Sequence, residues 1–210
     1  MKVFLPRRFL GKALGWIERG AWLLSLGALT YCGGILVQAE LAQRQGRDEL
    51  QAAKIRFASS SGVSSDAFAA ASLPRIGPDP RGALGSLEMA AIGVSGVIFD
   101  GSDAFTLARG IGHVPGSALP GQRGNVVLAG HRDTFLRNLE HVTLGESVTI
   151  ETPMANATYT VTAINVVDPT ETSVMRPTSD FRITLITCYP FHFFGHAPQR
   201  FVVTGRLVTK

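Results

Sequence analysis

The stretch ITLITCYPF, residues 183–191, is a run of Ile, Thr and Leu that ends in a single thiol, with Tyr189-Pro190 directly after it. Side chains alternate between the two faces of a strand. Thr184, Ile186 and Cys188 therefore share one face, and Ile183, Leu185 and Thr187 share the other. Proline has no N–H to give to a ladder, so the strand stops or reaches an edge at Pro190. Cys188 is expected at the rim of a sheet, where a substrate can reach it. A thiolate there is a nucleophile when a neighbouring cation or base lowers its pKa. The alternative is a small buried hydrophobe, a common fate of a cysteine that ends a strand.

The choice between these depends on partners. His131 follows NVVLAG (125–130), another strand-like run ending at a glycine, so it also belongs at a strand-to-loop rim. His113 sits among turn residues in GIGHVPG, His141 follows a short charged segment, and His192 and His196 lie in the loop after Cys188. Arg200 opens the next strand-like run, 200–208. If the two strands pair antiparallel, Cys188 and Arg200 lie at the same end of the pair. A guanidinium there can donate to a developing oxyanion or a substrate carbonyl. Blander readings stand beside each: His131 as a loop residue, and Arg200 as a solvated edge guard. Cys188, His192 and His196 also form C-x₃-H-x₃-H, which on a helix would stack three metal ligands on one face. Pro190 and Gly195 argue against such a helix. Asp133 could orient His131 or cap the segment after it, and capping is the expected role.

The elements that must position these residues read as an all-β domain. LEMAAIGVSGVIF (87–99), NVVLAG (125–130), SVTIE (147–151), ATYTVTAINVV (157–167), FRITLITC (181–188) and RFVVTGRLV (200–208) are rich in Val, Ile and Thr. Gly, Pro and Asp clusters separate them, the punctuation of strands. Only 102–110 and 133–140 read as helices, each with a capping residue at its start. A barrel or a sandwich follows, beginning near residue 82. Upstream, 58–82 is rich in Ser, Ala, Gly and Pro and reads as a flexible linker. Residues 39–57 have helix propensity and mixed charge, and read as a solvated stalk or, less simply, a coiled-coil surface.

Charge is uneven. Lys2, Arg7, Arg8, Lys12 and Arg19 against Glu18 place the whole formal excess of +4 in the first 19 residues. The remainder is balanced, so the basic excess says nothing about nucleic acid, and no nucleic-acid partner is expected. The tag precedes Gly20–Ala39, which carries no charge and as a helix would span about 30 Å, the thickness of bilayer hydrocarbon. The basic flank should stay in the cytoplasm, exporting everything after it. Residues 1–19 then form a cytoplasmic tail, 20–39 a single-pass anchor, and 40–81 a stalk and linker. A cleaved signal peptide is the alternative, with Val-Gln-Ala before Glu40 as its cleavage site. In either case Cys188 is a free thiol in a compartment where cysteines normally pair, which marks it as reactive or joined to another chain.

Taken together, the motifs resemble the sortase family, closest to its class D-like group. TLITC (184–188) matches the TLxTC signature, NVVLAGHRDTFLR (125–137) the histidine segment, and APQRFVVTGRL (197–207) the arginine strand; GIGHVPGSALPGQRGN (110–125) is also characteristic. The resemblance covers about 82–210. It departs at LEMAAIGV, which lacks the proline often found in the first strand. It implies a closed eight-stranded β-barrel with short helices, behind an N-terminal transmembrane helix. It implies that Cys188 is the nucleophile, His131 the general acid/base and Arg200 the stabiliser of charge. Thr187, beside the thiol, and His196, in the loop after it, are expected at the substrate. The implied reaction cuts an LPxTG-like signal after Thr, holds the acyl group as a thioester and passes it to an amine. The acceptor would be a cell-wall peptide or a protein lysine, and water in its place would make the enzyme an endopeptidase. No metal and no cofactor are expected.

Overall fold

The computed structural model describes residues 7–60, 82–154 and 156–208. Eight strands form the sheet: β1 Ala83–Met89, β2 Val94–Asp100, β3 Ile111–His113, β4 Gly124–Ala129, β5 Ser147–Glu151, β6 Asn156–Val167, β7 Phe181–Tyr189 and β8 Gln199–Leu207. They close into a barrel in the order β1-β2-β3-β4-β7-β8-β6-β5, as the resemblance implies. Two neighbouring pairs, β2 with β3 and β4 with β7, are parallel, and the others are antiparallel. Period-2 alternation fills the interior: Ile183 and Leu185 of β7 pack with Leu87, Ile98, Leu128, Ile150 and Tyr159 in one core.

Because β6 and β7 both run antiparallel to β8, the segment 168–180 that joins them must travel back past β8 on the outside of the barrel. Asn125 of β4 pins that crossover. Its Nδ2 donates to the carbonyls of Val174 at 3.0 Å and Arg176 at 3.2 Å. Its Oδ1 accepts from the Thr184 hydroxyl at 2.8 Å, and both residues are buried. A buried amide and hydroxyl on the outer face are tolerated because each is hydrogen-bonded.

Ile111–His113, read as turn residues around His113, forms strand β3, and the structure differs from the sequence-based expectation in three further places. Residues 87–99 are two strands, with a 3₁₀ turn at Ala90–Ile92 and a reversal at Gly93, whose φ of 65° is open to glycine. Both arms are apolar, so composition shows no break. Residues 133–140 are not an α-helix: turns lead into a 3₁₀ helix, Arg137–His141, and no side chain caps it, so Asp133 is exposed without the capping role. By contrast α2, Ala104–Arg109, is capped by Asp103, whose carboxylate accepts from the N–H groups of Phe105 and Thr106.

The third difference is upstream. One helix, α1, runs over Arg7–Ser60. The chain divides into two compact units, Met1–Glu40 and Leu41–Lys210. In the first, α1 is apolar and exposed, with Trp22, Leu23 and Leu24 all outward, and it is long and apolar enough to cross a membrane. In the second, α1 is no solvated stalk, because it is docked on the barrel. Leu50 packs with Ala83, Val97 and Phe99. Buried Gln43 accepts from the Val97 N–H at 2.9 Å and donates to the Arg109 carbonyl at 2.7 Å. Lys54 pairs with Glu151 at 2.7 Å. The linker expected over 58–82 lies, from 61 to 81, outside the described residues.

Gln43→Ala would orphan a buried donor and a buried acceptor, at about 1–3 kcal/mol each. Thermal unfolding should show a loss of several degrees, at about 2–4 °C per kcal/mol for a domain of this size. An unchanged melting temperature would mean the helix adds nothing to the barrel.

Candidate active site

Everything at the site is arranged about β7, which has a neighbour on each side. In the antiparallel pair with β8, Cys188 stands directly opposite Arg200. In the parallel pair with β4, Ala129 stands opposite Ile186, and the Gly130 N–H extends the ladder to the Ile186 carbonyl at 3.1 Å. His131 is the next residue, just beyond that last ladder bond. Adjacent strands lie about 4.8 Å apart. Cys188 and Arg200 thus stand side by side on neighbouring strands, and His131 lies just past the end of β4, at the same end of the barrel.

Cys188 is half-buried and unpaired. With the core on the Ile183–Leu185–Thr187 face, the thiol points outward. It lines an open cleft of about 350 Å³ with His131, Arg132, His196, Ala197 and Arg200. Beneath the rim, Tyr189, Phe191 and Phe201 close the end of the barrel, with ring centroids 5.1–6.1 Å apart. The strand ends at Tyr189 as expected from the proline after it.

Of the five histidines, His131 and His196 line this cleft. His192 is turned away to the Glu140 carboxylate at 2.9 Å. Cys188, His192 and His196 therefore do not converge, and no three His, Cys, Asp or Glu side chains among the described residues could hold a metal ion. His113 is buried elsewhere, its Nε2 within 2.9 Å of the Ser117 hydroxyl and 3.0 Å of the Ala118 carbonyl. Asp133 also borders the cleft.

Thr187 is not at the cleft, which corrects its expected place at the substrate. It is 2% exposed on the core face, and its hydroxyl donates to the Gly130 carbonyl at 2.8 Å. The position next to the thiol is misleading, because alternation sends adjacent side chains to opposite faces. What Thr187 does is tie β7 to the residue before His131. Gly130 has a second constraint: a Cβ there would lie 2.8 Å from Leu136, so the turn that returns from His131 can close only over glycine. That turn is fastened by the Leu136 N–H donating to the His131 carbonyl at 3.2 Å.

Arg200 is half-buried, and its Nη1 donates to the carbonyls of Gln199 at 2.9 Å and Ala197 at 3.2 Å. A guanidinium carries five N–H donors in a plane, so its fork keeps capacity for a further acceptor. The Asp168 carboxyl nearby is held below the usual carboxylate range, first by the Thr170 hydroxyl and N–H and more weakly by the charge of Arg200. The arrangement sets a thiol between an imidazole and a cation, the elements of nucleophilic catalysis with proton transfer and charge stabilisation. Two residues escaped the sequence reading: Arg132, directly after His131, and Asn125, the partner of the motif's first threonine.

Comparison with known proteins follows the same lines. The Sortase domain family model matches residues 87–208. Sortase D of Bacillus subtilis (strain 168) is 30% identical over 180 residues, 85% of this chain and 91% of that protein. Sortase A of Listeria monocytogenes superposes with a TM-score of 0.55 at 30% identity, over 60% of this chain and 88% of its own. A Clostridium perfringens sortase D5 transpeptidase superposes with a TM-score of 0.60, over 77% of this chain and 99% of its own, and at 24% identity speaks for the fold.

Thr187→Val keeps the shape but leaves the buried Gly130 carbonyl without its hydroxyl partner, a loss of about 1–3 kcal/mol. Thermal unfolding should register it as several degrees. A melting temperature equal to that of the parent would show that the hydroxyl does not fasten the histidine segment.

Proposed function

We propose that this chain, which belongs to the sortase family of cysteine transpeptidases, cuts an LPxTG-like sorting signal after its threonine and joins the freed carbonyl to an amine. The observation that carries the reading is one cleft lined by His131, Cys188 and Arg200, with Cys188 and Arg200 opposite each other across β7 and β8. The Cys188 thiolate attacks the threonine carbonyl carbon, and the carbonyl oxygen becomes an oxyanion. Arg200 donates to that oxygen, where charge develops. His131 protonates the leaving amine as the C–N bond breaks, which leaves a thioester on Cys188. The acceptor amine then attacks the thioester, His131 takes its proton, and the thiolate departs with a new amide formed. One difficult exchange becomes two easier ones. His196, on the cleft wall, is assigned to the bound peptide. The partners are exported proteins bearing C-terminal signals, with a cell-wall peptide or a protein lysine as acceptor.

The apolar part of α1 is a candidate membrane anchor. We assign it one pass, with the basic N-terminal residues in the cytoplasm and the barrel outside, since Lys and Arg flanks stay inside. A reporter fused after Lys210 should be active outside the cytoplasm; activity inside would reverse the orientation.

The protein incubated with candidate signal peptides and an amine should yield a thioester on Cys188 by mass spectrometry and an amine-dependent product. Cys188→Ala should form no acyl-enzyme. His131→Ala should slow turnover about 10²–10⁴-fold, and Arg200→Ala about 10²–10³-fold. Arg200→Lys should recover little, because a point charge does not reproduce the planar fork. All should melt close to the parent. Near-normal turnover of Arg200→Ala would reduce the site to a Cys–His pair.

A further inference from the structure

The loop after β7 forms a wall of the cleft, and burial holds only its beginning, where Phe191 packs against Tyr189 and Phe201. His192 to His196 are all exposed, and the Phe194 side chain is entirely in solvent. Its backbone nevertheless converges on one side chain. Arg132 donates through Nη1 to the Pro190 carbonyl at 2.9 Å, and through Nη2 to the carbonyls of Phe193 at 2.6 Å and Gly195 at 3.2 Å. Its guanidinium also lies 5.9 Å from the centre of the Phe193 ring. Beyond Phe191, the other tether is the His192–Glu140 pair, but His192 is 85% exposed, and exposed pairs contribute little. A folded domain does not need these carbonyls bonded to protein, because exposed carbonyls are satisfied by water. The effect of Arg132 is to select one shape of the loop.

We infer that Arg132 is a positioning residue, whose guanidinium fixes the loop 190–195 as a preformed wall of the Cys188 cleft and thereby sets the affinity for the peptide. The inference rests on the transpeptidase reading for the identity of the ligand. The geometry requires arginine, because three carbonyls spread over six residues are met by a rigid fork that an ammonium cannot imitate. A loop ordered in advance spares the bound peptide the cost of ordering it. Arg132 itself is assigned no step in the chemistry. Its loss should therefore weaken binding and leave the reactivity of the thiol unchanged.

Three measurements on the full chain test this. Chymotrypsin should cut after Phe193 or Phe194 of folded Arg132→Ala about tenfold faster than in the parent, as expected of a segment released to open locally. In a Cys188→Ala background, adding Arg132→Ala should raise the dissociation constant of a peptide that the parent processes by about 10- to 100-fold, since small misplacements cost on that scale. Alkylation of Cys188 by iodoacetamide should stay within about twofold of the parent rate. Arg132→Lys should resemble the alanine variant in the first two and keeps the charge should Arg132→Ala fold poorly. Unchanged proteolysis, unchanged peptide affinity, or an alkylation rate that falls with turnover would each overturn the inference. If the parent processes no peptide, the transpeptidase reading fails, and the proteolysis rates alone decide whether Arg132 holds the loop.

Discussion

The site depends on one constraint: β7 is hydrogen-bonded on both sides, parallel to β4 and antiparallel to β8. A strand paired on one edge can slip in register, and a slip of one residue turns every side chain to the opposite face. Here a slip would have to break two ladders and move Ile183 and Leu185 out of the core. The register therefore holds Cys188 between the end of β4 and the start of β8. His131 and Arg200 need no contact with each other to stand on either side of the thiol. Arg200 is placed by strand spacing across from Cys188, and His131 by the turn after Gly130, fastened by the Leu136 N–H donating to the His131 carbonyl.

The threonines of TLITC take on a physical meaning in this light. Neither is in the cleft. Thr184 faces outward beneath the β6–β7 crossover and bonds Asn125, which in turn holds the carbonyls of Val174 and Arg176. Thr187 faces inward and bonds the carbonyl of Gly130. One hydroxyl ties β7 to the crossover, and the other ties it to the histidine segment. Both are buried, so each must be satisfied, and that requirement makes each specific for one partner. Valine would fill either space but specify nothing.

How much was legible in the sequence varies with distance along the chain. Strand ends at Gly130 and Pro190 are local signals, and they place His131 and Cys188 at a rim. Arg200 followed from loop length and antiparallel pairing. Thr187 departs from its expected place because strand alternation turns it to the face opposite Cys188, although it adjoins the thiol in sequence. The 87–99 run hid a hairpin because both arms are apolar, and only Gly93 marks the turn. The docking of α1 was not legible, because the groups that bond Gln43 lie 54 and 66 residues away. A polar residue on a mixed-charge helix carries no mark that it is buried. Arg132 was hidden for a similar reason: its partners are backbone carbonyls, and every residue type has one.

The two arginines beside Cys188 both bond loop carbonyls, yet the same bond type serves opposite ends. Arg132 spends both terminal nitrogens on three carbonyls of Pro190, Phe193 and Gly195. Arg200 uses a single nitrogen, Nη1, on its neighbours Ala197 and Gln199. Bonds from a cation to a neutral carbonyl are weaker than bonds to an anion. In the proposed reaction, an oxyanion forming at the thiol would displace the Arg200 contacts at a net gain, and the gain would exist only while the charge exists. That is the condition for an interaction to lower a barrier, since it must be stronger in the transition state than before it. Arg132, with its fork committed to a loop that must stay in place, has no such exchange to make. The difference between holding a wall and answering a charge lies in which donors are left over.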